Sequence, residues 1–152
     1  MTRIIVMPLA PALLLIHTKT KHMKPAETQK KVYDLHHEHQ LWMNQLNFFE
    51  DELKIFKHRL EEIAKANNKA EVLKMVEHFQ NAFIIQKDEI DVLKHTIRLA
   101  EQELVAYIDK NPEVADKRKK EDDAVIREKM ARFEKLFRQM KDEFVNFVAR
   151  VL

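Results

Sequence analysis

The sequence predicts an all-α protein: an up-down-up antiparallel bundle of three long helices with coiled-coil-like a/d packing. Three observations carry that prediction. From Ala26 to the C-terminus, apolar residues recur at alternating intervals of three and four, the spacing that keeps one face of a helix buried. Only Asn67-Asn68 and Asn111-Pro112 interrupt the pattern. Connections that short turn each helix back along its predecessor.

The first helix is expected over about residues 26–67. Its seam runs through Val32, Leu35, His39, Trp42, Leu46, Phe49, Leu53, Phe56, Leu60 and Ile63, with His39 the one polar member. Met23-Lys24-Pro25-Ala26-Glu27 supplies the start, because proline suits the first turn and an acid there meets the positive end of the helix dipole. Asn68 with Glu71 three residues on has the spacing of a capping box, so the second helix is placed at 69–110. Its seam is Val72, Val76, Phe79, Phe83, Gln86, Ile90, Leu93, Ile97, Ala100, Leu104 and Tyr107, with Gln86 the polar exception. Proline at 112 ends that helix and opens the third, over 112–151. The third seam is apolar from Ile126 through Met130, Phe133, Phe137, Met140, Phe144 and Phe147 to Val151. Extended backward, the same register meets Asp123, Lys119 and Asp116, so its first third reads as too polar to be buried like the rest.

Residues 1–24 stand apart. Ile4 to Ile16 is apolar but only 13 residues long and contains Pro8 and Pro11, whereas a spanning helix needs about 20. His17-Thr18-Lys19-Thr20 offers no small-x-small cleavage site, and a cytoplasmic protein is the expectation. Two readings stay open: an apolar arm that packs on the fold, or leader-like sequence ahead of a start at Met23.

Composition removes several chemistries. The chain has no Gly, Cys or Ser among 152 residues. Without Gly there is no dinucleotide-binding turn, P-loop or nucleophile elbow, each of which needs a backbone geometry or close approach that a Cβ forbids. Lacking Ser and Cys, the commonest hydrolytic nucleophiles are missing. Lys and Arg number 27 against 25 Asp and Glu, for a net charge of +2, which gives no electrostatic reason to expect nucleic acid. The basic run Lys117 to Lys120 is followed at once by Glu121, Asp122 and Asp123 and reads as a solvated helix face.

Two features exceed a monomeric core. Leu41, Phe48 and Ile55 form a second apolar row on the first helix, and Ile85, Val92 and Leu99 form one on the second, both at heptad position c. At overlapping heights, the two rows would make one broad exposed surface, as interaction faces do. The other feature is His36-His37-Glu38-His39. His36 and His39 lie on one helix face, and the bundle brings Asp123 to their height. Two imidazoles and a carboxylate suit zinc or iron, or can share a proton. The sequence lacks the paired Glu-x-x-His repeats of di-iron bundles. The leading expectation is a non-catalytic interaction or scaffolding bundle that needs no cofactor and assembles with itself or another helical protein. The alternative is a metal-binding or proton-handling bundle using His36, His39 and Asp123.

Overall fold

A computed structural model describes the backbone of residues 25–110 and 112–152, and the side chains of 32–106 and 122–152. Three helices form, α1 (Pro25–Ala66), α2 (Ala70–Lys110) and α3 (Pro112–Val151), each about 60 Å long at 1.5 Å per residue. Cross-helix pairs fix their directions. His39 meets Glu101 and Phe56 meets Phe83, so α1 and α2 are antiparallel. Glu38 meets Arg127 and Phe56 meets Phe144, so α1 and α3 run parallel.

The seams fold into the core. Leu46, Phe137, Ile90, Phe79, Leu60, Leu93 and Ile97 are almost fully buried, and a ladder of rings joins the three helices. Phe49 lies 4.5 Å from Phe137, while Phe83 and Phe79 lie 5.1 and 5.2 Å from Phe144. Such offset and edge-to-face pairs contribute about 0.5–1.5 kcal/mol each beyond the area they bury. Gln86 interrupts the α2 seam as its polarity implies. Its Oε1 is buried without a hydrogen-bond partner, a local cost of about 1–3 kcal/mol.

Three details differ from the sequence reading. The first α2 hydrogen bond runs from the Leu73 N–H to the Lys69 carbonyl, which makes Lys69, not Asn68, the N-cap. The neighbouring Asn67 instead donates its side-chain amide to the Ile63 carbonyl, 2.9 Å away, at the end of α1. Asp123, expected on a poorly buried stretch, is completely buried, because the bundle supplies a hydrogen-bond donor for its carboxylate. Asp116, Lys119, the Lys117 to Lys120 run and the apolar segment 4–16 lie outside the residues whose side chains are described. Among the described residues no helix is long and apolar enough to cross a membrane.

The third difference concerns the apolar rows. Glu50 of α1 holds Lys87 and Lys94 of α2, so these positions mark the sides by which the two helices face each other. Phe48, Ile85 and Val92 each precede one of them by two residues, about 160° around the helix. The rows therefore point away from the α1/α2 contact and do not merge. Leu41, Phe48 and Ile55 border the groove between α1 and α3, where Ile55 shares a cleft with Phe144, Val145 and Val148. Ile85, Val92 and Leu99 lie on the opposite flank, toward the other side of α3.

Candidate functional site

At the end of the bundle that holds the N-terminal third of α1, polar side chains replace the phenylalanine ladder. His39 occupies a seam position and is 2% exposed. Its Nε2 lies 2.9 and 3.0 Å from the two carboxylate oxygens of Asp123 on α3, and its Nδ1 lies 2.6 Å from Glu101 Oε2 on α2. One imidazole thus bridges both other helices. The Glu101 carboxylate is shared, since its other oxygen takes Nδ1 of His36. The result is an alternating chain, His36–Glu101–His39–Asp123, running from a partly solvated imidazole to a buried carboxylate.

Because carboxylates only accept, both His39 nitrogens serve these contacts as donors when the ring is protonated. Burial by itself pushes the imidazole pKa down, but the hydrogen bonds to Asp123 and Glu101 and the charges behind them outweigh it and hold His39 above its ordinary 6.5. In Glu101, burial raises the carboxyl, and hydrogen bonds from His39 and His36 reverse that and leave it below the ordinary 4.5. Alongside, Arg127 of α3 donates two 2.8 Å hydrogen bonds to Glu38. Trp42 closes the other side, its ring 5.8 Å from that of His39.

Of the sequence-predicted set, the structure joins His39 to Asp123 and sends His36 elsewhere, to Glu101. The three do not converge on a point, because the two nitrogens of His39 face opposite ways. No group of three or more His, Cys, Asp or Glu is placed to hold a metal ion among the described residues. Glu101 is the member that sequence reasoning missed. Its signal was present: Lys87, Lys94 and Glu101 repeat every seven residues along the α2 edge facing α1, and His36 and Glu50 lie on the matching α1 edge. Pairing those edges in antiparallel order sets acid against base twice, at Glu50 with both lysines and at His36 with Glu101.

All six apolar positions singled out from the sequence remain uncovered, from Leu99 at 45% exposed to Ile55 at 66%. Exposed Val125 and Leu136 of α3 lie on the α2-facing side of that helix, opposite the edge where Arg127 and Lys141 meet α1. They extend the Ile85, Val92 and Leu99 row across the α2/α3 groove.

No protein-family model, curated protein or solved structure matches the chain.

Proposed function

We propose that the protein is a non-catalytic helical-bundle interaction protein that self-associates through its exposed apolar flanks. One observation carries the reading: the core is complete, yet Ile85, Val92, Leu99, Val125 and Leu136 stay roughly half exposed along one flank. Together they present on the order of 400 Å² of apolar surface, the size at which patches mark interaction sites. The row spans about 20 Å of helix, so a second copy laid antiparallel across it matches residue for residue and approaches the roughly 800 Å² per partner of a stable interface. Leu41, Phe48 and Ile55 provide a smaller, separate face.

Sedimentation equilibrium of the full chain over a range of concentrations tests this. The expected result is an oligomer that Val92→Glu, Phe48→Glu or both shift toward monomer while helicity is retained, since neither change touches a seam. The two substitutions sit on different flanks, so they also identify the face that is used. A wild-type chain that stays monomeric at several hundred micromolar overturns the proposal.

A further inference from the structure

The polar end of the bundle has a property that assembly does not use. We infer that His39 is a proton-operated latch: with hydrogen on both ring nitrogens it ties α1 to Asp123 of α3 and Glu101 of α2, and on losing one it releases Glu101 and loosens the end of α2. This stands independently of the self-association reading.

The geometry sets which contact gives way. A neutral imidazole keeps one N–H and can serve one carboxylate, and its other nitrogen then turns a lone pair toward an acceptor at under 3 Å. Asp123 has almost no solvent access, whereas 27% of the Glu101 side chain is exposed. Leaving Asp123 without a donor strands a buried charge. Glu101 retains His36 and reaches water. The neutral ring therefore keeps its Nε2–H on Asp123, and the contact to α2 is the one lost. The proton leaves from Nδ1 by way of Glu101 and the partly exposed His36. The charged groups facing the ring are His36 and Glu38 from α1, Glu101 from α2, and Asp123 and Arg127 from α3. Glu38 and Arg127 are engaged with each other, so neither replaces the missing donor.

The direction of the response follows by linkage. His39 is held above 6.5 in the fold, so the latch is complete below pH 6.5 and is lost as pH rises through the raised value. Glu101 is held below 4.5, so its share is present above pH 4.5 and is lost as pH falls through the lowered value. The latch is strongest between these limits.

Trp42 is the sole tryptophan in the chain and neighbours His39, so its emission reports the protonation of that ring. In the wild-type chain, emission is expected to change in one step with a midpoint above pH 6.5. Over the same step, amides of residues 100–106, corrected for intrinsic base catalysis, should exchange at least tenfold faster, while those of 90–97 do not change. His39→Gln should abolish the emission step, and Glu101→Gln should lower its midpoint by about one pH unit. A midpoint at or below 6.5, a step that survives His39→Gln, or exchange at 100–106 that ignores the step overturns the latch. Emission and exchange of the wild-type chain decide the matter even if a variant fails to fold.

Discussion

Replacing His39 by leucine completes an apolar seam, and pattern alone would expect the change to stabilise. The structure reverses that expectation. Asp123 is completely buried, and its two oxygens share the Nε2–H of His39 at 2.9 and 3.0 Å. His39→Leu strands that carboxylate, and removing one partner of a buried ion pair costs about 3–5 kcal/mol. At the roughly 2–4 °C per kcal/mol typical of a chain of this size, the melting temperature falls by about 6–20 °C. Asp123→Ala costs about 2–4 kcal/mol, since a buried N–H loses its acceptor and a small void opens. The double variant removes both charges and keeps only the packing defect, about 1–2 kcal/mol. Urea denaturation followed by far-UV circular dichroism at pH 6 closes the cycle, with an expected coupling of at least 3 kcal/mol. Effects that add to within about 0.5 kcal/mol would show that the two residues do not act as a unit, and the account of this site would be wrong.

Gln86→Leu should raise stability by about 1–2 kcal/mol in the same assay, because it removes the orphaned Oε1 and extends the seam from Phe83 to Ile90. Phe137→Ala, at the centre of the ring ladder beside Phe49, should cost about 3–5 kcal/mol. Glu50→Gln should cost about 1–3 kcal/mol by leaving the buried Lys94 ammonium without its carboxylate. Hydrogen bonds from Lys94 and Lys87 hold the Glu50 carboxyl at about 2, so its stabilisation is present above pH 4.5 and fades as acid brings the pH down through about 2. An acid titration of wild type against Glu50→Gln by circular dichroism should show the two curves converging over that range.

Much of the fold was legible because a heptad repeat is a one-dimensional record of a buried face. Trp42, Leu46, Phe83, Ile97, Phe133 and Phe144 each occupy the seam position read for them, and each is buried. Helix boundaries came within two residues, and the misplaced cap at Asn68 reflects a choice among adjacent polar residues that only hydrogen-bond geometry makes. The candidate site was legible in part. His39 was conspicuous as a polar residue in an apolar seam, and Asp123 followed from carrying the α3 register backward. Glu101 stayed hidden because it lies at a helix edge, where a carboxylate ordinarily faces water.

The sequence by itself determined that three helices form, which face of each is buried, and that a histidine and an aspartate enter the core. These properties depend on intervals along one chain segment, and periodicity records them directly. Only the tertiary structure decided which flank each apolar row occupies and which carboxylates His39 serves. A row at a fixed angle on its own helix says nothing about where the third helix sits. Once Glu50 joins Lys87 and Lys94 across α1 and α2, both rows turn outward on either side of α3. The same antiparallel register sets Glu101 against His36 and His39, converting two local helix faces into a buried site with one proton between two carboxylates on different helices.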